Sequence, residues 1–271
     1  MIDASQVSII IPHLGSNKEQ EFALEQCLGS LDESCDIEII VVKNGEECKH
    51  NNMSSIRIYK QGQCAAVNAA VATTNTKWIM ISNDDMVYAP GWFEKLQFPE
   101  SSSDGMLCIS PKLVEPRDGA PTFEKQMFGG AGGDFDKQKW LDFNKSYKGM
   151  PGFFRFGFNL PFLIKRGLWD TVGGYDINYD PWGSNGDSDL EYKIKLAGVQ
   201  PYQNTNCIVY HFSQTSGTFH PDQQEYWNEN WGYFAEKWGF LRTDEGIWEA
   251  NFQIPTEGRK FRPEWEGKYA L

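Results

Sequence analysis

The chain of 271 residues predicts an α/β protein built on a mostly parallel, twisted sheet flanked by helices. Three observations carry that expectation. Short apolar runs rich in β-branched residues alternate with helical patterns over the first hundred residues, as they do where crossover helices join parallel strands. Apolar residues make up 40% of the chain and aromatic residues 14%, enough to fill the core of one large domain or two small ones. One apolar run, residues 78–81, stops abruptly at Asn83-Asp84-Asp85. A buried strand therefore delivers two carboxylates and an amide to the edge where open α/β sheets bind ligands.

Taken in order, residues 7–12 (VSIIIP) read as a central strand, and Phe22, Leu24, Leu28 and Leu31 follow at helical spacing. Residues 37–42 (IEIIVV) form a second buried strand that ends at the turn signal Lys43-Asn44-Gly45. Residues 56–60 alternate as a third, edge strand. The Ala-rich stretch 61–73 is helical with Gly62 at its mouth, and the strand at 78–81 follows. Pro90 marks the start of a helix with Trp92, Phe93 and Leu96 on one side. After a polar loop at 101–104, residues 106–110 form a further strand, and regularity fades between 112 and 151. Gly129-Gly130-Ala131-Gly132-Gly133 reads as a loop rather than a phosphate cradle, because no helix opens from it.

The second half is punctuated by glycine. Residues 149–158 are aromatic and glycine-rich, 161–165 form a strand, and a short helix over 166–172 ends at Gly173-Gly174. Ser184 or Asn185 caps a helix whose buried stripe is Leu190, Ile194 and Ala197, with Gly198 ending it. Asp187 and Asp189 fall in its first turn, where the helix dipole favours negative charge. Residues 203–211 form a strand ending at His211. Tyr226, Trp227, Trp231, Tyr233, Phe234 and Trp238 mark an aromatic helix before a polar tail that runs to Leu271.

Charge and motifs narrow the function. A net charge of −12 opposes binding to nucleic acid phosphates and to anionic lipid. The first residues lack the basic start and apolar stretch of a signal peptide, and no run of 18 apolar residues predicts a membrane span. The six cysteines (Cys27, Cys35, Cys48, Cys64, Cys108 and Cys207) are scattered without a C-x-x-C pair and read as reduced thiols of a cytosolic protein. Neither a P-loop nor the G-x-G-x-x-G dinucleotide signature follows the first strand. Adjacent carboxylates repel, and a divalent cation such as Mg²⁺ or Mn²⁺ relieves that repulsion while taking its remaining ligands from substrate phosphates. A solvated turn with Asx caps is the competing reading of Asn83-Asp84-Asp85. Likewise Asp187 reads as a cap or a working carboxylate, and His211 as a buried histidine or a metal ligand.

Taken together, these stretches resemble a family-2 glycosyltransferase of the GT-A fold, of the rhamnosyltransferase-like kind, over residues 6–240. VSIIIP resembles the family's opening strand, and Gly62 and Asn68 resemble its G-x-x-x-A-x-N helix. NDDMVYAPGWFEKL resembles the metal-binding D-x-D region. RGLWDTVGGYD and GDSDL resemble the V-G-G-[FY]-[DE] and E-D-x-D-L acceptor segment, while YHFSQTSGT and YFAEKWG resemble the late histidine and K-W-G. The resemblance implies one GT-A domain over 1–271, with a nucleotide-sugar half (1–110), an acceptor half (111–240) and a tail (241–271). It implies inverting transfer from a nucleotide-diphosphate sugar to a hydroxyl of a glycan or lipid-linked glycan, in polysaccharide or glycan synthesis. Asp85 and His211 would hold Mn²⁺ or Mg²⁺, and Asp187 would be the catalytic base. Pro12, Asn44, Gly62, Asn68, Asn83 and Asp84 would contact the donor. A cytoplasmic setting, peripheral to the inner membrane face, accompanies that reading.

The chain departs from the family at three positions: Lys43 stands where Asp commonly meets the base, Asn83 replaces the first acid of D-x-D, and Gly186 replaces the Glu of E-D. Two other readings stay open. A sugar-nucleotide nucleotidyltransferase would carry a basic, glycine-rich loop after its first strand, whereas Pro12-His13-Leu14-Gly15-Ser16 is followed only by Lys18. A catalytically inactive, sugar-binding relative is the other. Phe153, Phe154, Trp182 and Trp227 are candidate faces for sugar rings, with core packing as the default role.

Overall fold

The structure, a computed structural model, describes residues 2–31, 36–43, 53–57, 62–96, 108–116, 123–149, 154–181, 183–213 and 224–239. The expectations placed on Asn44, Phe153, Trp182 and the tail lie outside those residues. The elements run β1 (Val7–His13), α1 (Lys18–Ser30), β2 (Glu38–Lys43), β3 (Met53–Arg57), α2 (Gln63–Val71), β4 (Trp78–Ile81), β5 (Met86–Tyr88) and α3 (Trp92–Leu96). There follow β6 (Cys108–Glu115), β7 (Phe123–Lys125), α4 (Lys137–Ser146), β8 (Phe154–Phe156), β9 (Phe162–Lys165), α5 (Arg166–Val172), α6 (Gly186–Leu196), β10 (Tyr202–His211) and α7 (Gln224–Trp238).

One sheet takes in strands from both halves, in the order β3-β2-β1-β4-β9-β6-β10-β5, with β7 beside β6 and β8 beside β10. The first four strands are all parallel. Beyond β4 the sheet is mixed: β9 runs antiparallel to β4 and β6, β10 runs parallel to β6, and β5 runs antiparallel to β10. The strand order reverses at β1, which has β2 on one side and β4 on the other, so a crevice opens at the carboxyl ends of β1 and β4. Pro12 is tolerated in β1 because pairing with β4 stops at Ile10 and Ile81, before a missing N–H would matter.

Ile9, Ile10, Ile11, Ile79, Met80 and Ile81 are buried to within 1% on the central strands, the run of apolar residues expected of strands covered on both faces. A smaller aromatic cluster joins Phe128, Trp140, Tyr210 and Phe212, with Trp140 supplied by α4.

Four local expectations are corrected. The third strand is already formed at Met53–Arg57, ahead of the expected start at Ile56; residues 58–60 lie outside the described residues. Its parallel register with β2 (Ile39 opposite Met53, Lys43 opposite Arg57) decides its place rather than side-chain alternation. The strand expected at 106–110 runs as β6 to Glu115, through Pro111, which sits where a bulge in β10 relaxes the pairing. The region of fading regularity contains α4, capped by Asp136, whose carboxylate accepts from Lys139 N at 3.0 Å. Asn185 does hold the N-cap position of α6, but in a left-handed conformation (φ 66°) and without a side-chain capping bond.

Candidate active site

The Asn83–Asp85 turn is shaped by groups packed beneath it. Tyr88 donates its hydroxyl to Ser82 Oγ (2.7 Å), and Ser82 Oγ donates to Asn83 O (2.9 Å). Cys27 of α1 reaches the same carbonyl. The turn thereby presents Asp84 and Asp85 in different directions. Asp84 meets His13, the last residue of β1, at 2.6 Å to Nδ1, and His13 Nε2 lies 3.2 Å from Glu21, which is also 3.7 Å from Lys43. Asp85 instead meets His211 Nε2 at 3.2 Å, while His211 Nδ1 lies 2.5 Å from Glu115.

These pairings set protonation. Burial disfavours the His13 imidazolium, but the Asp84 and Glu21 carboxylates outweigh it and raise the pKa. Burial likewise opposes the charge on His211, and Asp85 and Glu115 together still push it up to about 10. Burial and the neighbouring Asp85 raise the Asp84 carboxyl, against the pull of His13. Each histidine thus sits between two carboxylates and, in the metal-free protein, donates to both.

The donor set can be tested against a divalent cation. Asp85 and His211 pair a carboxylate with an imidazole, a combination that suits Mn²⁺ well and Mg²⁺ less well. Among the described residues, no three carboxylate, imidazole or thiolate groups gather as a closed metal cage. Two protein ligands and an open remainder fit a cation shared with substrate phosphates.

The α6 side is joined to this turn through the first turn of α2. Gln63 Nε2 lies 3.4 Å from Asn83 Oδ1, and a Cβ at Gly183 would come within 3.0 Å of Gln63 Oε1. Asp180 accepts from Cys64 N (2.9 Å) and Ala65 N (3.0 Å), so its carboxylate occupies the helix N-terminus. Gly62 is required there: at φ 157° a Cβ would fall 2.0 Å from Asp180 Cγ. Asn68 is buried, and its amide accepts from Tyr175 N (2.9 Å) and donates to Tyr175 O (2.8 Å). Tyr175 in turn donates its hydroxyl to Asp187 Oδ1 at 2.5 Å. Gly186, with Cys64 Sγ 3.1 Å from where its Cβ would be, is packed against the same helix.

The structure therefore brings Asp85 together with His211, and links Asn68 to Asp187 through Tyr175. Pro12 is half-buried one residue before His13. Trp227 is half-buried on α7, its ring 6.3 Å from that of Trp231. Sequence reasoning did not single out Glu115, His13 as a partner of Asp84, Tyr175 or Asp180. Only Tyr175 carried a signal, as the aromatic position of the V-G-G-[FY]-[DE] segment. Asp189, the second acid of GDSDL, is fully buried and belongs elsewhere: it accepts from Trp238 Nε1 (2.8 Å) and pairs with Lys237 (2.7 Å).

Residues 8–99 match the family described as Glycosyl transferase family 2. No curated protein matches the chain. Among solved structures, GalNAc-T7 with UDP, GalNAc and Mn²⁺ is similar at a TM-score of 0.53 and 16% identity, over 76% of this chain and 42% of that one. The mannosyltransferase PcManGT from Pyrobaculum calidifontis, in complex with GDP-Man and Mn²⁺, is similar at 0.51 and 16%, over 78% and 58%. S. aureus TarS 1–349 is similar at 0.50 and 12%, over 88% and 73%. The chain thus spans about half the length of the first two structures it matches. At these identities the likeness is one of architecture, and it establishes that the chain has the GT-A fold.

Proposed function

We propose that the protein is an inverting, metal-dependent glycosyltransferase that moves a sugar from a nucleotide-diphosphate donor to a hydroxyl acceptor. One observation carries the reading. The first turn of α2 touches both the Asn83–Asp85 turn and the loop entering α6, so the donor turn and Asp187 share one floor. The match of residues 8–99 to family 2 supports it.

Asp85 and His211 would hold Mn²⁺ or Mg²⁺. When bound, such a cation offsets the negative charge that accumulates on a departing diphosphate. Asn83, Asp84, Gly62 and Pro12 line the approach for the nucleotide, and Asn68 acts by anchoring Tyr175. Asp187 takes the proton from the acceptor hydroxyl as that oxygen attacks the anomeric carbon opposite the leaving group. The Tyr175 hydroxyl donates to one carboxylate oxygen and fixes its orientation. That contact supplies a neighbour for Asp187 where Gly186 has replaced the family's Glu. The acceptor is a glycan or lipid-linked glycan in polysaccharide or glycan synthesis, of the rhamnosyltransferase-like kind, handled at the cytoplasmic membrane face. Among the described residues no helix is long and apolar enough to cross a membrane.

Calorimetry of UDP and GDP with and without Mn²⁺ tests the donor side. Asp85→Ala should abolish the metal-dependent part of binding, while Asn83→Ala only weakens it. Unchanged metal-dependent binding in Asp85→Ala sinks the assignment.

A further inference from the structure

We propose that Glu115 is a positioning residue for the metal site: it fixes the imidazole of His211 so that Nε2 is presented beside Asp85. The inference rests on the metal reading above and extends it to a residue on a different strand.

The register of the sheet builds the arrangement. Glu115 is the last residue of β6, and Val114 pairs with Tyr210 of β10, so Glu115 and His211 occupy the next rung. On its other side His211 pairs with Met86 of β5, the residue after Asp85, and Phe212 N donates to Asp85 O at 3.1 Å. Glu115 and His211 therefore share one rung of β6 and β10, and Asp85, in the turn one residue before β5, is tied to the end of β10 by the Phe212 N bond. Strand pairing holds Glu115 and His211, which gives tighter positioning than a loop provides.

The chemistry of the arrangement is directional. An imidazole has two nitrogens, and the partner of one decides what the other can do. Glu115 Oε1 lies 2.5 Å from Nδ1, which commits that nitrogen to a proton and leaves Nε2 facing Asp85 at 3.2 Å. A carboxylate behind a ligating histidine fixes its tautomer and ring orientation and makes it a better donor to a cation. Glu115 is only 1% exposed. A buried carboxylate–imidazole pair contributes little net stability compared with apolar packing, so its presence beside a candidate ligand points to orientation.

The test is Mn²⁺-dependent binding of UDP or GDP to the full chain, measured by calorimetry for wild type, Asp85→Ala, Glu115→Gln and Glu115→Asp. Glu115→Gln should weaken metal-dependent binding by about 10- to 100-fold, the usual cost of losing such a partner. Glu115→Asp should restore part of the loss. In a His211→Ala background, Glu115→Gln should change binding by less than about 2-fold, because its effect passes through the imidazole. Imidazole ¹⁵N shifts of the Mg²⁺- and nucleotide-bound protein should show His211 protonated at Nδ1 in wild type and altered in Glu115→Gln. Should Glu115→Gln fail to fold, the Glu115→Asp comparison and the shifts of wild type still decide. Wild-type binding by Glu115→Gln, an undiminished loss in the His211→Ala background, or a wild-type His211 protonated at Nε2 overturns the inference. If Asp85→Ala behaves as expected while Glu115→Gln is silent, this inference alone falls. If wild type shows no Mn²⁺ dependence, the metal reading falls with it.

Discussion

At the carboxyl edge of the sheet, Asp84 and Asp85 face histidines; between α6 and α7, Asp176 and Asp189 face lysines. The second cluster is closed. Lys237 pairs with Asp176 (2.8 Å) and Asp189 (2.7 Å), and Lys193 with Asp189 (3.6 Å). Tyr233 donates to Asp176 (2.8 Å), and Lys193 donates to Gly174 O. All four charged side chains are at most 3% exposed. The first cluster has histidines in place of lysines, and an imidazole, unlike an ammonium, has a nitrogen that can bind a cation once its proton is lost. Similar carboxylates thus serve two ends. The partner's chemistry, not the acid itself, separates a clamp from a candidate site.

Asp187 and Asp189, two residues apart on one helix turn, offer the sharpest way to break the comparison. Asp187→Asn keeps the side chain's shape and removes the proposed proton acceptor. Transfer to a working acceptor should fall by roughly 10²- to 10⁴-fold, the usual contribution of a positioned base. Binding of nucleoside diphosphate with Mn²⁺ and the unfolding midpoint should both stay near wild type. Near-normal transfer would return Asp187 to a structural role at the start of α6.

Lys237→Met should do the reverse. It leaves Asp176 and Asp189 without their shared ammonium in a buried setting, a loss of roughly 3–5 kcal/mol by the precedent of broken buried pairs. Urea unfolding would read it, and Mn²⁺-dependent nucleotide binding of the folded protein should not change. A stable variant would mean that Tyr233, Trp238 and Lys193 satisfy both carboxylates on their own.

How much of this was legible beforehand follows from the range of each contact. The strands β1, β2 and β4 announce themselves by unbroken apolar runs, and the Asn83–Asp85 turn by the abrupt end of one of them. The GT-A fold, read through the family resemblance, is the fold found. Glu115 was hidden because its partner lies 96 residues away, on a strand whose register no local pattern encodes. Lys237 was noted only as the K of K-W-G and Lys193 not at all, since burial of a lysine depends on carboxylates brought in by the fold. Helix α4 went unread because three lysines surround Trp140, its one buried residue. Asp180, in a turn before α6, gave no sign that it caps α2, 115 residues earlier in sequence.

The smallest expected effect concerns pH, and it separates the two histidines of the open cluster. Both have folded pKa values above the ordinary one of about 6.5, His211 reaching about 10. A raised folded value means that the native state binds the proton more tightly than the unfolded chain. That contribution is fully present below about pH 6.5 and is lost as pH rises through the folded value. Asp84 has the same sign, but its window opens near the ordinary carboxyl value of about 3.9, well below neutrality. The metal-free protein should therefore lose stability steadily from pH 6.5 toward 10. His13→Gln can still donate an amide hydrogen to Asp84 but no longer titrates, so its thermal midpoint should fall less steeply over that range, leaving the slope due to His211. Thermal scans of both proteins in EDTA at half-unit pH steps make the comparison. Parallel slopes would show that His13 takes up no proton on folding, and would remove Asp84 from the set of charges that hold the turn.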